Sequence, residues 1–70
     1  MSHHKYRVDT TTYYPDGRKR RSYYFAKSIA AIAYRLENSP RATGFERHGT
    51  RQFDVYDGYC HTVHHVSRVY

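Results

Sequence analysis

The sequence is poor in cysteine, the residue that crosslinks many small secreted folds. Its single cysteine, Cys60, cannot form a disulfide within the chain, and this composition is compatible with a reducing compartment. We therefore expect a cytoplasmic protein whose fold is held by packing alone.

Long apolar runs are also missing. The longest stretch of small apolar character, residues 29–34, is far too short to span a bilayer, and residues 1–5 do not lead into a signal-peptide core. We expect no membrane partner. Residues 1–4, which include His3 and His4, are expected to be a disordered start.

Acidic residues are scarce. Six Asp and Glu residues stand against twelve Lys and Arg residues, which gives a formal net charge of +6 and a pI near 9.7. This balance favours anionic partners, with nucleic acid, DNA or RNA, first and acidic protein or lipid surfaces second. The acids are also scattered, so the sequence offers no carboxylate cluster for a metal-dependent nuclease.

The motifs of common enzyme classes are absent too. The chain has no Gly-rich phosphate loop and no G-x-S-x-G sequence. A 70-residue chain is also expected to form one small domain, residues 5–70, with no enclosed cleft. We therefore predict a protein with no catalytic residues, no metal and no cofactor, present as a monomer or a homodimer.

The segment from residue 13 to residue 25 combines a turn signal with the densest charge. Pro15, Asp16 and Gly17 are typical of a hairpin tip, so residues 5–13 and 18–25 are predicted to be the two strands of a hairpin. If Tyr14 and Arg18 flank the tip, Tyr13 lies opposite Lys19 and Val8 lies opposite Tyr24.

This register separates two faces, because side chains alternate along a strand. Tyr6, Val8, Thr10 and Tyr24 share the predicted core face. The other face is basic and aromatic, with Arg7, Thr11, Tyr13, Lys19, Arg21 and Tyr23.

The periodicity changes after the hairpin. Apolar residues at helical spacing predict a helix over residues 26–38, with Ser28 as N-cap or a start one turn earlier at Ala26, and with Pro40 after its end. Strand candidates follow at 43–48, 51–56 and 59–69, and Asp57-Gly58 is predicted to be a two-residue hairpin turn. The predicted fold is an α+β domain with one helix on an antiparallel sheet of four to five strands, ββαββ or ββαβββ.

The basic hairpin supplies the predicted function. Arg and Lys contacts to phosphate provide affinity, and Tyr rings can stack on unpaired bases. The candidate binding residues are Arg7, Tyr13, Arg18, Lys19, Arg20, Arg21 and Tyr23. Residues 17–21 contain four cations and no acid, more than solubility alone requires, although a charged edge that prevents aggregation is a common alternative.

An alternative function uses the same positive charge. The hairpin can instead bind an acidic protein surface, as in small inhibitors or adaptors of the phage or mobile-element type that block a nucleic-acid groove of a larger complex.

The segment 60–65 concentrates Cys60 with His61, His64 and His65. Alternation along a strand splits these residues into two pairs on opposite faces, so they do not converge on a zinc ion. We expect Cys60 in the core and the histidines on a solvated or partner-facing strand. A small nuclease that uses two of these histidines with Arg68 stays a further alternative.

Residues 12–36 combine a Pro-Asp-Gly hairpin tip, a basic second strand that ends in an aromatic residue, and a short Ala-rich helix. This segment resembles the arm-binding domain of tyrosine integrases and other small proteins that lay a three-stranded sheet in the DNA major groove. The resemblance implies a DNA-binding sheet. The sequence departs from the family pattern because no third strand precedes the helix.

Overall fold

The computed structural model of the chain describes residues 5–69, so the predicted disordered start at 1–4 lies outside the described residues. In chain order, the elements are β1 (Tyr6–Tyr13), β2 (Lys19–Ala26), α1 (Ile29–Glu37), β3 (Gly44–His48), β4 (Gln52–Asp57) and β5 (Cys60–Arg68).

The strands form one antiparallel sheet in the order β2-β1-β5-β4-β3. The predicted α+β fold class is confirmed, in its five-stranded form. The C-terminal strand β5 lies between β1 and β4, so it joins the first hairpin, β1-β2, to the meander β3-β4-β5. Helix α1, which connects β2 to β3 in sequence, packs on one face of this sheet.

The register predicted for the first hairpin is confirmed. Tyr13 lies opposite Lys19, and Val8 lies opposite Tyr24. Val8 also lies opposite Val66 of β5, so one row of apolar side chains crosses the sheet beneath the helix. The faces of β1 and β2 are therefore those that alternation predicts.

The core is small and lies between α1 and the sheet. Val8, Phe53 and Val66 are fully buried on the sheet side, and Ile32 and Ala33 meet them from the helix. Burial of each large apolar side chain stabilises the fold by about 1.5–3 kcal/mol. The core is completed at its rim by partly buried residues, namely Tyr6, Tyr24, Ala26, Ile29, Leu36 and Phe45.

The helix begins at Ile29 because Ser28 caps it. The backbone N–H of Ala31 donates to Ser28 Oγ at 3.1 Å, which satisfies one amide that has no partner within the helix. Ala26 belongs to β2, so the predicted helix span of 26–38 begins three residues too early, and the start at Ala26 is wrong. At the other end, Asn38 is the C-cap and donates its side-chain amide to the Tyr34 carbonyl at 2.8 Å.

The turn between β4 and β5 lies one residue later than predicted. Asp57 pairs with Cys60, so the two-residue loop is Gly58-Tyr59 and not Asp57-Gly58. Gly58 has φ +58°, and no non-glycine residue among those described has a positive φ. A positive φ at the first loop position alone is the pattern of a type II′ turn, which requires glycine there.

The side of the sheet opposite α1 is covered by no other described element, and we call it the open face. It is formed by Lys19, Arg21, Tyr23 and Phe25 of β2, by Arg7, Asp9, Thr11 and Tyr13 of β1, by His61, Val63, His65 and Ser67 of β5, by Gln52, Asp54 and Tyr56 of β4, and by Gly44, Glu46 and His48 of β3. Within residues 5–69, no helix has the length and apolar character needed to cross a membrane.

Candidate nucleic-acid interface

The first hairpin brings five of the seven candidate residues onto the open face. Arg7 and Tyr13 lie there on β1, and Lys19, Arg21 and Tyr23 lie there on β2. Tyr13 is 46% exposed and Tyr23 is 57% exposed, so neither ring is needed to fill the core. Cations and aromatic rings therefore share one uncovered surface.

Arg7 is held in place by two neighbours. Its Nε donates to Asp9 Oδ1 at 3.1 Å, and its guanidinium carbon lies 4.4 Å from the centroid of the Tyr23 ring. The first contact joins residues two apart on one strand, and the second crosses to the adjacent strand. Because both groups are partly exposed, the ion pair adds little stability and serves to orient the guanidinium.

The tip is a turn whose geometry depends on Gly17. The Gly17 N–H donates to the Tyr14 carbonyl at 3.1 Å, and the Tyr14 N–H donates to the Arg18 carbonyl at 2.9 Å. Gly17 has φ +91°, a left-handed conformation that glycine adopts without steric cost. This is the type I turn with a following glycine bulge that closes many hairpins.

Asp16 compensates one of the hairpin cations, which corrects the sequence interpretation. Its carboxylate accepts from the Arg18 backbone N–H at 3.0 Å and also pairs with the Arg18 side chain. Residues 17–21 themselves hold no acid, yet the acid immediately before Gly17 lies within reach. Among residues 5–69, Lys19, Arg20 and Arg21 make no ion pair.

Arg20 lies on the opposite face of β2 from Lys19 and Arg21. It joins Tyr14, Arg18 and Lys19 around a shallow, open hollow of about 410 Å³ at the hairpin tip. The tip thus presents cations toward both sides of the hairpin. This arrangement suits a flexible polyanion that bends around the tip better than it suits a small enclosed ligand.

Phe25 belongs to this surface and was missed by the sequence analysis. It lies on the open face opposite Arg7, is 44% exposed, and meets Tyr23 edge-on with the ring centroids 5.8 Å apart. The signal was present in the sequence, because Phe25 is two residues beyond Tyr23 and alternation places both on one face.

The other half of the open face is built around Asp54, which is only 6% exposed. Asp54 Oδ2 accepts from His61 Nε2 at 3.1 Å and lies 3.5 Å from His48 Nε2, while Oδ1 accepts from Gln52 Nε2 at 3.3 Å. His48 Nε2 is also 3.3 Å from Glu46 Oε2. Side chains from three strands therefore contact one carboxylate, and sequence spacing alone does not reveal this grouping.

Tyr56 closes this cluster from the side. Its ring stacks on His61 with the centroids 4.4 Å apart and the planes 10° apart. Desolvation, the nearby carboxylates of Glu46 and Asp54, and a hydrogen bond to Glu46 raise the pKa of the Tyr56 hydroxyl above its ordinary value of 10. The hydroxyl is therefore a hydrogen-bond donor and no source of charge at neutral pH.

The histidines of β5 separate as alternation predicts, but their environments differ from the expectation. His64 is 8% exposed and lies on the helix side, so the prediction that all these histidines lie on a solvated or partner-facing strand is wrong. Cys60 is only partly buried at the start of β5, so its predicted core position is wrong too. Across residues 5–69, no three His, Cys, Asp or Glu side chains are arranged to hold a metal ion.

The chain was compared with family models, with curated proteins and with solved structures, and none of the three comparisons gave a match.

Proposed function

We propose that this protein is a small, non-enzymatic nucleic-acid-binding module. It binds through the first hairpin, with Arg7, Tyr13, Lys19, Arg21 and Tyr23 on the open face and with Arg18 and Arg20 at the tip. The supporting observation is that exposed cations and exposed rings lie together on one uncovered surface. Phosphate contacts supply affinity, and each stacked base adds about 1–3 kcal/mol.

The cations divide into two groups with different roles. Lys19, Arg20 and Arg21 make no ion pair among the described residues and are free to contact phosphate. Arg7 and Arg18 are each oriented by an acid two residues away. We assign salt-dependent affinity to the first group and orientation of the ligand to the second.

A second candidate function is supported by the position of β2. This strand is an edge of the sheet, so its outer backbone groups are available to pair with an extended segment of another protein. In that case the module is an inhibitor or adaptor of the phage or mobile-element type, and the hairpin cations meet an acidic surface.

The single free cysteine fits a reducing compartment, and we propose a cytoplasmic location. The oligomeric state is proposed to be monomeric or homodimeric. Both edges of β5 are occupied by β1 and β4, so a strand-paired homodimer would have to use β2 or β3.

The decisive experiment is fluorescence-polarisation binding to labelled oligonucleotides across a salt series. Three free cations should give a log–log slope of about −2 for single strands and about −3 for duplexes. The double variant K19Q/R21Q should bind more weakly and lower the magnitude of the slope. A matched control, R41Q/R51Q, removes the same charge from exposed sites outside the hairpin and should keep most of the affinity.

If no oligonucleotide binds even at low salt, the nucleic-acid function is wrong. Retention of one defined protein complex from nuclease-treated lysate, lost in K19Q/R21Q and kept in R41Q/R51Q, would then favour the inhibitor or adaptor.

A further inference from the structure

We propose that the ligand of this surface is single-stranded nucleic acid, whose unpaired bases stack on Tyr13, Tyr23 and Phe25. This inference depends on the proposed function and specifies its ligand. The three rings lie on the same face of two adjacent strands and are each 44–57% exposed. Large rings left so accessible contribute little to the core and offer faces and edges to a partner.

Phe25 discriminates between kinds of ligand. It carries no hydrogen-bonding group, so it cannot bind phosphate and cannot read the donors and acceptors of a groove. A duplex keeps its base faces stacked inside, whereas a single strand exposes them to aromatic side chains. An exposed Phe beside an exposed Tyr therefore fits unpaired bases better than it fits a duplex.

Rings and cations follow one another along the hairpin. Tyr13 and Lys19 pair near the tip, Arg21 follows on β2, and Arg7 pairs with Phe25 near the base. These pairs are six positions apart along β1, which corresponds to about 20 Å of strand. Such a track offers stacking at both ends with phosphate contacts between them, and its length suits a few nucleotides, as in other small single-strand binders.

Arg7 is already placed for this role. Its guanidinium covers one face of Tyr23 at 4.4 Å and is fixed by Asp9 at 3.1 Å. A base can stack on the guanidinium plane, since proteins that bind unpaired bases use Arg planes as well as aromatic rings. The pair is ordered before the ligand arrives, which reduces the entropic cost of binding.

The width of the sheet argues against a whole-face duplex interface. Five strands about 4.8 Å apart span roughly 19 Å, whereas the major groove is about 12 Å wide and readily admits an α-helix or a two-stranded ribbon. The open face is therefore a platform. The major-groove sheet implied by the resemblance to integrase arm-binding domains would need the hairpin to enter alone.

The test compares a labelled 12-nucleotide thymidine strand with a random-sequence duplex of about the same length, at one salt concentration. We expect the single strand to bind about tenfold more tightly. Phe25→Leu keeps an apolar side chain but removes the ring, and it should weaken single-strand binding about fivefold or more while leaving the salt slope unchanged. Tyr34→Ala removes an exposed ring from the helix side and should change neither quantity.

Each outcome has a defined meaning. If the duplex binds as tightly as the single strand or more tightly, the single-strand proposal is wrong and the proposed function stands. The same holds if Phe25→Leu keeps both its melting curve and its affinity for the single strand. If Phe25→Leu lowers the melting temperature, Phe25→Tyr, which keeps a stacking ring, must restore both folding and affinity. Absence of binding to both probes overturns the proposed function itself.

Discussion

The Tyr24 hydroxyl lies 3.3 Å from Nδ1 of His64, and the two rings meet edge-on beneath the helix with centroids 6.0 Å apart. His64 is thus a buried polar side chain whose ring nitrogen is hydrogen-bonded to Tyr24 at the edge of the core. Burial, with a smaller contribution from the positive charge of Arg35, lowers the pKa of His64 to about 4, against an opposing effect of Asp54. His64 is therefore neutral in the folded protein at physiological pH.

This environment predicts acid-sensitive stability. Between pH 6.5 and pH 4, the unfolded chain binds a proton at His64 that the folded chain does not bind, so the free energy of unfolding falls as pH falls through this window. The loss from this group is at most about 3 kcal/mol. Urea unfolding at pH 7, 5.5 and 4.5 measures it.

His64→Gln keeps a polar side chain of similar length and should flatten this pH dependence. His65→Gln is the matched control, because His65 is exposed on the opposite face, and it should leave the dependence unchanged. Equal stability of the wild-type protein at pH 7 and pH 4.5 would contradict the assignment.

The packing of the helix on the sheet gives a second prediction. Ile32→Asp places a charge at a position that is 2% exposed and faces the sheet core, so it should cost several kcal/mol and unfold a domain this small. Ala30→Asp changes the exposed side of the same helical turn, where an acidic residue near the N-terminus is favourable, and should be nearly neutral. Thermal melts followed by circular dichroism compare them, and similar melting temperatures would show that the helix is not packed as described.

Local signals in the sequence were sufficient for the first hairpin and the helix. Pro15, Asp16 and Gly17 determine a turn, the turn determines the register, and alternation then assigns each side chain to a face. Ser28 caps the helix as its residue type suggests, although the sequence left the start open between Ser28 and Ala26. The turn between β4 and β5 was predicted one residue too early. Asp57-Gly58 and Gly58-Tyr59 both contain the required glycine, and only the pairing of β4 with β5 decides between them.

The order of the strands was not predictable in this way. β5 pairs with β1, which is more than 45 residues away in the sequence, and no local pattern encodes that contact. The grouping of His48, Asp54 and His61 depends on the pairing of β4 with β5 and on the pairing of β3 with β4. Which of His64 and His65 is buried likewise depends on which face of the sheet the helix covers, and no local pattern encodes that choice.

Asp54 carries the third prediction. Its carboxylate is almost fully buried and accepts hydrogen bonds from His61 and Gln52, so Asp54→Ala removes their common partner and should destabilise the fold by about 1–3 kcal/mol. Asp57→Ala, at the exposed end of the same strand, should cost less than about 0.5 kcal/mol. Urea unfolding at pH 7 distinguishes them, and a neutral Asp54→Ala would mean that the cluster contributes nothing to stability.

We also predict that the fold does not depend on a metal ion. Among residues 5–69, no three His, Cys, Asp or Glu side chains are arranged to hold a metal ion. The fold is held by an apolar core and by β-sheet pairing. Dialysis against an excess of a strong chelator should therefore leave the melting temperature unchanged. A fall of several degrees, reversed by adding zinc, would instead indicate that the histidines and carboxylate around Asp54 bind a metal.

The last prediction concerns two neighbours that lie on opposite faces. Tyr23 is exposed on the open face beside Arg7, whereas Tyr24 packs against the core and contacts His64. Tyr23→Ala should weaken oligonucleotide binding about fivefold or more and change stability by less than about 1 kcal/mol.

Tyr24→Ala should have the reverse effect. It leaves a gap under the helix and removes the partner of His64, so it should cost about 2 kcal/mol or more while the folded fraction keeps its affinity. Polarisation binding and urea unfolding of both variants measure the two effects. If Tyr23→Ala unfolded the domain while Tyr24→Ala only lowered affinity, the two faces would be exchanged by a one-residue slip, and the binding surface would move to Tyr14, Arg18, Arg20 and Tyr24.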